Sequence, residues 1–216
     1  MRAPSRTKKR AALGAVLGLG LLAALGCTEM VATQSRPALA ELNAPLRRIA
    51  VIPFSASALV RREAGQETPR AAAQLVSKYV AEALAARGVE VIAPEDVEAA
   101  LAPEIGTEQP IAAVLARKVG ADAVVIGELT RWEEREGEAM GTLHPAAVGF
   151  RVALRTAPGS KALWSAEFDE RQQPLGANVL RAGQYPGGGT RWLTAEELAR
   201  WGAQETVKAL PLGPER

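Results

Sequence analysis

Arg48-Ile-Ala-Val-Ile-Pro-Phe54 is a short apolar run stopped by a proline. No polar residue alternates through it, so it reads as a strand buried on both faces and central in a sheet. After a polar loop from Ser55 to Glu67 comes the clearest helix, with Thr68 as cap, Pro69 in the first turn and Gly88 past its end. Leu75, Val76, Tyr79, Val80, Ala83 and Leu84 recur at helical spacing and form one apolar stripe that must pack on a sheet.

Reading outward toward the C-terminus, Val89 to Ala93 is a second short strand, and Pro94-Glu95-Asp96 opens a brief helix ended by Pro103. Another helix is expected from about Gln109 to Val119, with Ile111, Val114, Leu115 and Val119 on one face and Gly120 as its stop. Ala123-Val124-Val125-Ile126 forms a third buried strand that continues amphipathically toward Trp132. The period then changes. Val148, Phe150, Val152 and Leu154 alternate with Arg151 and Arg155, and Ala162, Trp164, Ala166 and Phe168 do the same beyond Pro158-Gly159-Ser160. This is an antiparallel hairpin with one solvated face. A last helix starts at Thr194, where Thr194 and Glu197 make a capping box and Leu193 and Leu198 a hydrophobic staple. The expected fold is α/β (α+β): a single small mixed sheet of about five strands with helices packed on it, spanning 47–212.

Toward the N-terminus, Arg2, Arg6, Lys8, Lys9 and Arg10 precede an uncharged stretch from Ala11 to Gly26 built almost wholly of Ala, Leu, Gly and Val. That is the pattern of a secretory signal. Its sixteen residues rise about 24 Å at ~1.5 Å each, short of the roughly 30 Å of a hydrocarbon core. The stretch closes with Ala24-Leu25-Gly26-Cys27, which resembles the lipobox of bacterial lipoproteins, with Ala24 and Leu25 in swapped order. The resemblance implies cleavage between Gly26 and Cys27, a leader over 1–26, and diacylglycerol plus an amino-terminal acyl chain on Cys27, more than the two chains that stable anchoring requires. Thr28 after the cysteine implies the outer membrane, with the domain facing the periplasm. Cys27 is the only cysteine, so no internal disulfide can form. From Cys27 to residue 46 the chain shows no sustained period and reads as a flexible tether.

The formal net charge of +2 belongs to the whole chain. Without the five basic residues of the leader, 21 of the 26 Lys and Arg remain against 24 acidic residues, so the mature protein is mildly acidic. It has no general attraction for nucleic acid.

No catalytic, cofactor-binding or metal-binding constellation emerges. His144 is the sole histidine, and with Cys27 lipidated no thiol is left for zinc, iron-sulfur or nucleophilic work. Glu133, Glu134, Glu136 and Glu138 crowd one turn but alternate with Arg135 and Gly137, as in a solvated charged loop. Gly187-Gly188-Gly189-Thr190 lacks the Gly-Lys-Ser/Thr of a phosphate loop. Ser55 and Ser57 stand beyond the carboxyl end of the first strand, where open α/β sheets often bind ligands, yet no nucleophile elbow surrounds them. Trp192 and Trp201 flank the start of the last helix and could anchor a partner or simply pack on the sheet.

Arg48-Ile-Ala-Val-Ile-Pro-Phe54, Gly88-Val-Glu-Val-Ile92 and Gly120-Ala-Asp-Ala-Val-Val-Ile-Gly127 resemble a group of periplasmic lipoproteins with a shared α/β domain. The group comprises the curli-secretion channel lipoprotein, the lipoprotein activators of penicillin-binding proteins and the amino-terminal domain of the Tol translocation protein. Leu163-Trp-Ser-Ala-Glu-Phe168 and Arg191-Trp-Leu-Thr-Ala-Glu196 look similar to one subset of it. The resemblance implies a non-enzymatic envelope protein that binds another envelope protein in assembly, secretion or wall synthesis. Two alternatives stay open: a subunit of an oligomeric secretion channel, and a hydrolase or sugar-binding enzyme using the Ser55 or Glu133 region. A membrane strand needs roughly nine to eleven residues, and Glu133 to Pro145 is too short and too charged to supply a pore hairpin.

Overall fold

The computed structural model describes residues 31–35, 46–64, 67–102, 111–157, 161–174 and 183–212. Its strands are β1 (Val31–Ser35), β2 (Arg48–Val51), β3 (Ser55–Ala56), β4 (Glu90–Ile92), β5 (Ala123–Glu133), β6 (Glu136–Glu138), β7 (Gly141–His144), β8 (Ala147–Thr156) and β9 (Ala162–Arg171). Its helices are α1 (Ala58–Ala64), α2 (Glu67–Ala86), α3 (Pro94–Leu101), α4 (Ile111–Val119) and α5 (Ala195–Lys208). The main sheet is seven-stranded, ordered β1-β9-β8-β5-β2-β4, with β3 also paired to β5.

The sheet has two halves of different construction. β4, β2 and β5 are parallel, with Ala50 opposite Ile92 and Val124, whereas β5, β8, β9 and β1 are antiparallel. One face of the whole sheet carries the principal core. There Val125, Leu129, Phe150, Leu154 and Phe168 pack with Val76, Val80 and Leu84 of α2 and Leu198, Trp201 and Val207 of α5. Among the described residues the opposite face is covered only over the parallel half, where Val97 of α3 and Ala112 and Leu115 of α4 enclose Ala50 and Val124. That asymmetry explains the sequence pattern: strands covered twice read as solid apolar runs, and strands covered once alternate.

Local chemistry fixes the joints. Pro53 has no N–H to give the ladder, so β2 ends before it and the chain rejoins β5 through β3, with Ser55 opposite Glu128. Asp122 accepts hydrogen bonds from the backbone N–H groups of Arg47 (2.9 Å) and Arg48 (3.0 Å), tying the start of β5 to that of β2. Gly88 turns the chain out of α2 with φ of 78°. Arg87, just past α2, donates to the carbonyls of Val207 (2.5 Å) and Leu210 (2.6 Å) at the end of α5.

Three expectations change. Val31–Ser35, read as part of a tether, pair along β9 as an edge strand. The loop from Ser55 to Glu67 holds β3 and α1, so the main sheet exceeds five strands by the two elements too short or too polar to show a period. The acidic turn, read as a hairpin tip, is a small hairpin, β6 against β7, as expected. Ile111, read as part of an apolar stripe, is half exposed. The leader, Gly26 and Cys27 lie outside the described residues.

Candidate functional site

Where the α3–α4 layer stops, the uncovered antiparallel half of the sheet forms the floor of an open groove of about 610 Å³. The pairing registers put Ile126, Ala153 and Ser165 in one cross-strand row of that floor. The next row is Glu128, Arg151 and Glu167. Ile52 and Pro53 line one side, and Ala32 and Thr33 of β1 the other. The floor is apolar at one end and charged at the other.

The charged end is an ordered lattice of ion pairs. Arg151 donates to Glu167 at 3.1 Å, and the hydrogen bonding and charge of Glu167 push its already high pKa further up. One row on, Arg131 bridges to Asp169, and beyond it Arg171 pairs with Glu133. Gly149 makes this possible, because a Cβ there would stand 2.9 Å from Asp169 Oδ1 and 2.8 Å from Thr130 Oγ1. Exposed pairs of this kind add little stability. Their effect is to keep the face flat, polar and fixed in geometry.

Ser55 is exposed and lines the groove. Ser57 is turned to structure: its Oγ accepts from the N–H of Val60 at 3.4 Å, at the start of α1. Trp201 is corrected to a core residue, 6% exposed, edge-on to Phe168 at 6.0 Å and tilted against Tyr185 at 5.0 Å. A side chain so enclosed has no face to offer a partner. Trp192 is half-buried and stands by the hairpin, its backbone N–H donating to Ala139 O at 2.8 Å.

The acidic residues near the hairpin do not converge. Glu133 pairs with Arg171, Glu134 accepts from the first N–H of α5 at 3.2 Å, and Glu136 faces His144 Nδ1 at 2.8 Å. Among the described residues no group of His, Cys, Asp and Glu could hold a metal ion, and His144 does not line the groove that holds Ser55. Gly187 to Gly189 form a tight turn, all three at positive φ, with Thr190 Oγ1 donating to Gly187 O. What the arrangement offers is a surface: a floor suited to an extended segment or another flat face, bordered by the edge strand β1. Sequence reasoning missed it because its residues come from five strands and make no local motif.

No family model matches the chain, and no curated protein sequence does. Among solved structures it is similar to the PelC dodecamer from Paraburkholderia phytofirmans, with a TM-score of 0.51 and 19% identity over 86% of this chain and 98% of that one. Lipoprotein GNA1162 from Neisseria meningitidis matches with a TM-score of 0.39 and 22% identity, over 63% of this chain and 88% of that one. The LpoB C-terminal domain from Salmonella enterica matches at 0.38 and 16%, over 63% and 91%. At such identities the likeness is one of fold alone, and it is the fold of the PelC structure that this chain shares.

Proposed function

We propose that this chain is a lipid-anchored envelope protein that acts without catalysis, as a docking module for another envelope protein. In this reading the leader is cut between Gly26 and Cys27, acyl chains on Cys27 hold the protein to the outer membrane, and the domain faces the periplasm. The observation that carries it is the groove: a sheet half that the described residues leave open, apolar at Ile126 and Ala153, beside the edge strand β1. Surfaces of that make are commonly partner sites.

The test is crosslinking in cells followed by recovery of the full chain, comparing wild type with Ala153→Trp, which fills the groove from its floor. The reading expects a crosslinked partner that the substitution removes; recovery of the protein alone at every crosslinker length counts against it. Radiolabelled palmitate incorporation, lost in Cys27→Ala, tests the anchor separately.

A second reading has its own support. The PelC structure, matched over 98% of its length, is a dodecamer, which favours self-assembly of this chain as a ring, as a secretion-channel subunit would require. The strands of the β6–β7 hairpin, three and four residues long, fall short of the roughly nine to eleven that cross a membrane. Rings in electron micrographs without bilayer conductance would support assembly and reject a self-standing pore.

A further inference from the structure

Four large hydrophobic side chains are strongly exposed among the described residues, and two of them, Met140 (83%) and Leu143 (82%), sit on the β6–β7 hairpin. The hairpin joins the end of β5 to the start of β8, so it projects from the end of the sheet marked by the row Glu133, Ala147 and Arg171. A third, Leu59 (66%), lies in α1, which leaves the sheet at that end because β3 runs parallel to β5 toward it.

The N-terminal segment points the same way. β1 is antiparallel to β9 with Val31 opposite Phe168, so the N-terminal end of β1 is the one nearer Arg171. Phe168 is three residues short of that end, about 10 Å along a strand. Cys27 precedes Val31 by four residues, a reach of up to about 13 Å. The leash can therefore bring Cys27 level with the hairpin end, and it is too short to reach the other.

The hairpin is held firmly enough to present its tip. Arg135 donates to Gly137 O (3.0 Å) and Trp192 O (2.6 Å), and the Trp192 backbone N–H donates back to Ala139 O (2.8 Å). Thr142 Oγ1 lies 2.7 Å from the carbonyls of both Glu136 and His144, locking the two strands. Gly137 is required where it stands, at φ 111°, since a Cβ would meet Gly141 O at 2.8 Å. A braced hairpin with two bare apolar side chains beside a tryptophan has the make-up of an interfacial contact, apolar tips with a polar base.

We infer that this end of the sheet is a membrane-contacting end: Met140 and Leu143, with Leu59, seat in the headgroup boundary of the bilayer that holds Cys27. The lipid and the hairpin then fix the orientation of the domain, standing β5, β8 and β9 up from the membrane and turning the groove sideways. The inference rests on the lipid-anchor reading. It adds to that reading a second, protein-borne contact with the same surface.

The test uses the full acylated chain purified from membranes. Because acylation consumes Cys27, a thiol introduced by Met140→Cys, Leu143→Cys or Lys161→Cys is the only one available for an environment-sensitive fluorophore. Lys161 begins the β8–β9 return at the opposite end of the sheet. In phosphatidylethanolamine and phosphatidylglycerol vesicles with brominated acyl chains, labels at 140 and 143 are expected to lose emission by quenching, and the label at 161 to keep it. Vesicle-bound protein whose labels at 140 and 143 are quenched no more than that at 161 overturns the inference and leaves the anchor standing. Unquenched but blue-shifted emission at 140 and 143 means that a second copy covers the tip, and overturns it too. A mature protein without acyl mass at Cys27 that fails to float with the vesicles sinks the anchor reading and this inference together.

Discussion

The backbone of Gly202 lies so close to the ring of Phe168 that a Cβ at position 202 would stand 2.5 Å from Phe168 Cε1. The ring cannot retreat, being stacked on Phe150 at 5.1 Å and met edge-on by Trp201 at 6.0 Å. Gly202→Ala would gain about 1 kcal/mol of helix propensity in α5, but overpacking of a filled core costs about 1–3 kcal/mol. The net expectation is a lower urea midpoint with unchanged slope. Gly141→Ala, with open space around it, is the matched control and should leave the midpoint in place.

How far the fold was legible follows from where its information is local. The run from Arg48 to Phe54, the stripe of α2 and the Thr194–Glu197 box each carry a period or cap within a few residues, and each stands as an element of the structure. β1 escaped because Val-Ala-Thr-Gln-Ser has no alternation of its own and becomes a strand only by borrowing the edge of β9. The groove escaped for a similar reason: Ile126, Ala153 and Ser165 are meaningful only once the register aligns them. Trp201 near a Gly-rich loop was ambiguous because burial is decided by Phe168 and Tyr185, which are distant in sequence.

The start of α5 should titrate as a unit at low pH. Glu197 is held down at about 2 by the hydrogen bonds of Arg191 to both its oxygens, at 2.7 Å each, against the opposing effect of burial. It also accepts from the N–H of Thr194 at 3.0 Å. A depressed carboxylate stabilises the fold above its ordinary value of 4.5 and loses that contribution as pH falls from there toward about 2. Both side chains are about two-fifths exposed, so screening reduces the contribution to about 1 kcal/mol. Thermal melts from neutral pH downward should show a loss over that window in wild type, and a flatter profile with a lower neutral plateau in Glu197→Gln. An unchanged acid limb in the variant would assign the loss to other groups.

Tyr79 should ionise late. Burial pushes its phenol up to about 12, reinforced by donation to Glu196 Oε1 at 2.6 Å and partly offset by Arg200, whose guanidinium lies 4.1 Å from the ring centroid. A raised phenol stabilises the folded state fully below the ordinary value of 10, and the contribution is lost as pH rises from there through about 12. The chain has two tyrosines, so ultraviolet titration of the folded protein should contain a step near the upper value that Tyr79→Phe deletes. A single step at the ordinary phenol value in wild type would contradict the α2–α5 contact as described.

The edge strand sets the length of the leash, and this can be tested without disturbing the core. Successive N–H groups of a strand point to opposite sides, so replacing both Ala32 and Thr33 with proline must delete one donor from the β1–β9 ladder. Ala32 and Thr33 are exposed, and the principal core is built from β2 onward apart from Val31 and Leu46 at its margin; the double variant should therefore lose less than about 1 kcal/mol of global stability, as surface changes do. Hydrogen exchange should nevertheless show deprotection of Val31–Ser35 and of the facing stretch Trp164–Phe168. With β1 released, the first strand residue after Cys27 among those described is Arg48 in place of Val31. If orientation at the membrane depends on the short leash, lipid quenching of a label at position 140 should weaken in the same variant, whereas undiminished quenching would assign the orientation to the hairpin alone.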